Sequence, residues 1–136
     1  MSQSQLFLSI DHRVVGVEVH AGDESAHDLM WEVSYGERDA EESARYALGW
    51  LHGAGEGVQV TVSVGALVVD TGIPYADEDF SRLFGASDAC EALYEYARMA
   101  GSVAISLTRE TLELPAYMPL VQVEPFPDDD DEQVPD

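Results

Sequence analysis

The sequence predicts an α+β fold: an antiparallel four-stranded sheet followed by helices packed on one face. Up to Val69 the chain alternates apolar and polar residues with the period of half-buried strands. Beyond Pro74 the spacing becomes that of an amphipathic helix. The strands come first as one run and the helices follow, without the strand–helix–strand alternation that builds parallel sheets.

Leu6, Leu8 and Ile10 alternate with Gln5, Phe7 and Ser9, and after Asp11 and His12 the pattern resumes as Val15, Val17 and Val19 against Gly16, Glu18 and His20. This predicts two strands, or one long strand with a bend. A polar break at Gly22 to Asp28 precedes a strand over Leu29 to Tyr35. Asp39 to Ala47 is rich in helix formers, yet Tyr46, Leu48, Trp50 and His52 alternate with Ala47, Gly49 and Leu51. Gly49 weakens a helix interior, and Gly53, Gly55 and Gly57 supply a turn, so the expectation is a loop or short helical turn at Asp39 to Ser43 and then a strand. That strand pairs with Val58 to Val69, where Val58, Val60, Val62, Val64 and Ala66 share one face and β-branched residues abound.

After Gly72 and Pro74 a short helix is expected over Glu78 to Phe84, with a break at Gly85. Ser87 is a good N-cap, Asp88 suits the first turn, and Ala92, Leu93, Tyr96, Ala97 and Ala100 form an apolar stripe on a helix reaching about Leu107. Leu112, Leu114, Pro115 and Pro119 then mark an extended segment over the apolar surface. Residues 1–125 are read as one domain and 126–136 as a disordered acidic tail, too poor in apolar residues to order itself.

The 27 acidic residues outnumber the 6 basic ones and set a net charge of −21. All the basic residues are arginine. Such a surface repels phosphate backbones and anionic lipid, which excludes direct nucleic-acid binding and favours cationic partners. Asp128, Asp129, Asp130, Asp131, Glu132 and Asp136 lie in the tail, and without those six the remainder still carries −15. A host that drifts toward Asp, Glu, Ala, Val and Arg gives the same balance with no partner involved. No apolar run reaches the roughly 20 residues that span a bilayer, and Met1 to Gln5 is polar, so a soluble cytoplasmic protein without membrane insertion is expected.

No catalytic constellation is legible, and no cofactor or metal is expected. There is no Gly-x-Ser-x-Gly elbow, and the lone Cys90 has neither a disulfide partner nor a second thiolate for a metal site. His12, His20, His27 and His52 fit no metal-pair spacing on a single helix. Asp77, Glu78 and Asp79 lack the spacing and central glycine of a calcium loop and suit a helix start instead. Gly53, Gly55 and Gly57 precede a strand, not the helix N-terminus a phosphate-binding loop requires.

Leu93, Tyr94, Glu95, Tyr96, Ala97 and Arg98, followed by Leu112, Glu113, Leu114, Pro115 and Pro119, form a helix and Leu-x-Leu-Pro segment after the strand Val58 to Val69. This arrangement resembles the end of the SecB family of export chaperones, whose helix carries Leu-Phe-Pro-Tyr-Ala-Arg. Glu95 stands at the family's proline, Met99 where a glutamate follows the arginine, Cys90 lies one residue too close to the motif, and the family's final Asn and Phe are missing. The resemblance implies a homo-oligomer, a dimer or tetramer, with an apolar groove for unfolded or extended polypeptides and an acidic sheet face that docks a motor protein. Trp31, Tyr35, Tyr46 and Trp50 are the groove candidates, since large rings give contact area at low entropic cost. Glu18 and Glu32 are the acidic-face candidates. The charge alone supports a different reading, an acidic inhibitor whose carboxylates mimic nucleic-acid phosphates and bind one basic protein.

Overall fold

The computed structural model describes residues 6–23, 25 and 27–127. Strands β1 (Phe7–Ala21), β2 (Asp28–Tyr35), β3 (Ala44–Gly55) and β4 (Val58–Asp70) come first. A single 3₁₀ turn, Asp77–Asp79, leads into helices α1 (Phe80–Gly85) and α2 (Asp88–Ser106), and a last strand, β5 (Val121–Pro125), closes the order. The sheet runs β1-β4-β3-β2-β5. β1 to β4 pair antiparallel, whereas β5 lies parallel to β2, with Trp31 beside Val121 and Tyr35 beside Pro125.

The expected four-stranded antiparallel sheet is therefore corrected to a mixed sheet of five strands. β5 holds only Val121 and Val123 on its inner side and ends in a proline, a residue that sheets tolerate at edges. Phe126 continues the structure past the expected domain boundary, its N–H donating to the Tyr35 carbonyl (2.8 Å). The acidic run from Asp128 onward lies outside the described residues.

β1 is one long strand with two register irregularities, one between Ile10 and Arg13 and one between Val14 and Gly16. Asp11 takes the left-handed conformation at the first (φ 54°). β3 and β4 join through Glu56 (φ 53°) and Gly57 (φ 81°), two successive positive φ angles that match the twist of a tight hairpin. β4 buries Val58, Val60, Val62, Val64, Ala66 and Val68 on the face toward the helices, as its alternation predicts.

Ser87 caps α2 by accepting from the Cys90 N–H (3.2 Å). The buried stripe of α2 is Ala89, Cys90, Leu93, Tyr94, Ala97, Gly101 and Ile105. Of the expected stripe, Leu93 and Ala97 are buried, Ala92 is exposed, and Tyr96 and Ala100 are half-buried, so the true face is rotated toward Cys90 and Tyr94. The rotation follows from Tyr94: its ring meets Trp31 edge-on (5.4 Å between centroids) and its hydroxyl donates to the Pro115 carbonyl (2.6 Å). Gly101 lets the helix lie close to the sheet, because a Cβ there would sit 3.0 Å from Leu114 Cδ1 and 3.1 Å from Val62 Cγ2.

Gly49 gives space of the same kind to Trp31: a Cβ at position 49 would lie 2.5 Å from the indole Cη2 and 3.3 Å from Leu93 Cδ2. Both neighbours are fully buried, so neither can swing into solvent. Gly49→Ala is expected to destabilise the fold by about 1–3 kcal/mol through overpacking, read as a lower denaturant midpoint at unchanged slope. Burial pushes the Cys90 thiol up to about 12, against the opposing effect of the Trp31 indole. The thiol is accordingly expected to ignore a thiol reagent at pH 8 until denaturant unfolds the chain; rapid labelling of the native protein would contradict this packing.

Candidate functional site

The structure does not bring the four aromatic groove candidates together. Trp31 is 2% exposed and belongs to the core between sheet and α2, which corrects its expected place in an open groove. Tyr35 projects from the same side of β2, half-buried at the sheet's end. Tyr46 (44% exposed) and the half-buried Trp50 occupy the opposite, helix-free face. There Trp50 stacks on His52 (5.5 Å, 7° between planes), and His52 Nδ1 lies 3.0 Å from Thr61 Oγ1. Met30, Leu8 and Ile10 are exposed on this face as well, giving it an apolar lane.

Glu18 and Glu32 also lie on the helix-free face, on β1 and β2, with β4 and β3 between them. Glu18 is within 3.1 Å of His20 Nε2, and Glu32 sits opposite Trp50. Of the helix motif, Leu93, Tyr94 and Ala97 are core residues and Tyr96 packs beside the His12 ring (5.3 Å). Arg98 hydrogen-bonds Glu95 one turn back on α2, and that bond holds the Glu95 carboxyl below its usual range.

One concavity is a cleft of about 1660 Å³ where β2 and β5 end and the segment after β4 crosses. Tyr35, Tyr75, Ile73, Phe126 and Pro125 give it apolar walls, while Glu37, Asp77 and Glu78 make it acidic. Asp70 organises one side: Arg38 Nε donates to one carboxylate oxygen (2.6 Å) and the Tyr75 hydroxyl to the other (2.8 Å). Burial, and then the bond to Asp70, raises the Tyr75 pKa. Arg45 lies beneath the cleft, 5% exposed, donating through Nη2 to Asp77 (2.9 Å). Its guanidinium stands 4.1 Å over the Phe80 ring and 5.5 Å from that of Tyr35, and these π faces offset the lack of a hydrogen-bond partner for its buried Nε. Burial alone would lower the Arg45 pKa; the bonds to Asp77 and Tyr75 outweigh it and raise it.

A second groove, about 590 Å³, runs on the helix side of β5 between Ser81, Gly85, Met118, Leu120, Val121 and Val123. The Tyr35 and Ser81 hydroxyls share a hydrogen bond (2.9 Å), so the two concavities meet at one bridge beside β5. Sequence reasoning passed over Tyr75, Phe126 and Arg45. Tyr75 and Phe126 sit in Pro-flanked stretches with no period, and Arg45 looks like a solvated charge until Phe80 covers it.

Among the described residues, no group of three or more His, Cys, Asp or Glu side chains is placed to hold a metal ion. Ser9 Oγ lies 3.1 Å from His12 Nε2, a distance at which a base activates a hydroxyl. The same hydroxyl also lies 3.4 Å from the Ala89 carbonyl, to which it can donate. No helix in the described residues is long and apolar enough to cross a membrane.

No protein-family model matches the chain, and no curated protein sequence does. Among solved structures, the chain superposes on the SecB-like chaperone Rv1957 of Mycobacterium tuberculosis, determined in complex with a ChAD peptide from the Rv1956 HigA1 antitoxin. The match has a TM-score of 0.62 at 18% identity and covers 82% of this chain and 88% of that one. A strand run followed by helices on one face, matched over most of both chains, gives this protein a SecB-like fold.

Proposed function

We propose that this protein is a SecB-like chaperone that binds extended or unfolded polypeptide without catalysing a reaction. The observation that carries the reading is the cleft at the β2–β5 edge, where aromatic side chains stand among acidic ones, on a fold shared with a chaperone whose structure holds a bound peptide. An extended chain beside a sheet edge draws affinity from backbone hydrogen bonds, and side chains entering clefts add selectivity. Each apolar side chain fully buried there contributes about 1.5–3 kcal/mol. Tyr75 and Phe126 are the proposed wall anchors beside Tyr35, and the acidic rim at Glu37, Asp77 and Glu78 disfavours acidic clients.

The expected homo-oligomer also belongs to this proposal. Among the described residues β1 leaves one whole edge unpaired, with Leu8 and Val15 exposed beside it, and α2 and its C-cap display Met99, Val103 and Leu107 at helical spacing on the outer side. Edges and stripes of this kind suit association with further copies. The helix-free sheet face with Glu18 and Glu32 is the proposed docking surface for a basic partner.

Light scattering of the purified protein, alone and with a permanently unfolded apolar polypeptide, tests the reading. A dimer or tetramer that retains the polypeptide is the expected result. Tyr75→Ala and Phe126→Ala should each weaken retention roughly tenfold to a hundredfold, the usual cost of removing an aromatic anchor. A monomer that ignores the polypeptide overturns the chaperone reading; salt-sensitive capture of a single basic protein would then favour the acidic inhibitor.

A further inference from the structure

β5 sits on the sheet as a bound peptide would. Among the described residues it is the one strand that runs parallel to its neighbour, and it pairs there with β2 alone over five positions. The chain reaches it through Leu107 to Leu120, a stretch with neither helix nor strand. Its inward side chains are only Val121 and Val123, both half-buried, while Gln122 and Glu124 face solvent. On the helix side those valines rest against Gly85 of α1, each 3.4 Å from the Cβ position that glycine leaves empty. Short edge strands with little buried apolar surface are the parts of a fold that open at least cost.

β5 also stands between the two concavities. Val121 and Val123 wall the smaller groove, Pro125 lines the larger cleft, and the Tyr35–Ser81 bridge lies beside them. Withdrawing β5 would bare the outer backbone edge of β2 and merge cleft and groove into one trough. An incoming extended segment would replace the backbone bonds of β5 like for like. Its advantage would come from side chains larger than valine entering space that β5 leaves unfilled, which is what a competitor needs against a tethered strand of high effective concentration.

We propose that β5 is a built-in stand-in for client: an extended client segment, apolar at alternate positions, replaces it on β2 in parallel orientation. This rests on the polypeptide-binding reading above and adds the place and the manner of binding. A lock tests it. Ser34 and Glu124 are register partners on the helix-free face, and Ser34→Cys with Glu124→Cys in the full chain would tie β5 to β2 when oxidised. The buried Cys90 is shielded from such exchange.

The oxidised variant is expected to bind a labelled, permanently unfolded polypeptide at least tenfold more weakly than the same protein reduced, with wild type indifferent to oxidant. Hydrogen exchange on wild type should show residues 121–125 losing protection when client is added while β4 keeps its own. Binding by the locked form within twofold of the reduced form overturns the displacement and leaves the chaperone reading standing. Failure of wild type to bind any polypeptide removes both. A lock that abolishes self-association but not client binding would make β5 of a second copy the occupant and overturn the proposal. Where the double variant does not fold, exchange on wild type decides: unchanged protection at 121–125 with client bound rejects it.

Discussion

The indole of Trp31 lies over a position with no side chain, and much of the structure is assembled on that contact. Gly49 on the neighbouring strand leaves the space, Trp31 fills it, and Tyr94 of α2 meets the indole edge-on. Edge-to-face aromatic pairs add about 0.5–1.5 kcal/mol beyond their buried area, so the contact selects the rotation of α2 as well as its position. The Tyr94 hydroxyl then holds the Pro115 carbonyl, and that bond fixes the extended segment from which β5 reaches the sheet edge. A chain of contacts from one glycine thus connects the middle of the sheet to its shortest described strand.

The electrostatics follow a similar economy. With 6 arginines against 27 acids, the protein has few cations to place, and two of them stand at the β2–β5 cleft. Arg45 is packed between aromatic rings and bonded to a largely exposed Asp77, which keeps a buried charge paired without burying its partner. Arg38, itself partly exposed, pairs with the largely covered Asp70 carboxylate, and that pair orders the Tyr75 side of the cleft. Carboxylates still outnumber guanidinium groups around the cleft, as Glu37, Asp77, Glu78 and Asp70 face Arg38 and Arg45.

The parts legible in the sequence were those whose signal is local. The β-branched alternation of β4 and the Ser87 cap each describe their own element, and the structure places them as read, whereas of the three glycines expected in the hairpin turn only Gly57 lies there and Gly53 and Gly55 belong to β3. What escaped depends on partners distant in sequence. The alternation in β2 already set Trp31 with Val33 and Tyr35, opposite Glu32 and Ser34, a pattern that marks the core side. In β3 the larger residues Tyr46, Leu48 and Trp50 face away from the helices while Ala47 and Gly49 face them, because the volume beneath is already taken by Trp31. Size alone is therefore a poor guide to which face is core. β5 left only two valines between prolines as its trace, and Tyr94 and Tyr96 are equally amphipathic until Trp31 chooses between them.

The two irregularities of β1 limit what its open edge could pair with. Asp11 and Val15 interrupt an edge strand of 15 residues, so its backbone donors and acceptors turn away from a common line partway along. A partner strand can pair with one straight stretch but cannot extend the ladder over the full length. The other edge of the sheet is the short, proline-ended β5, a poor complement to β1. The two edges of the sheet are thus unlike, so neither offers the other a matching ladder, and a strand pairing through β1 would have to be between like surfaces.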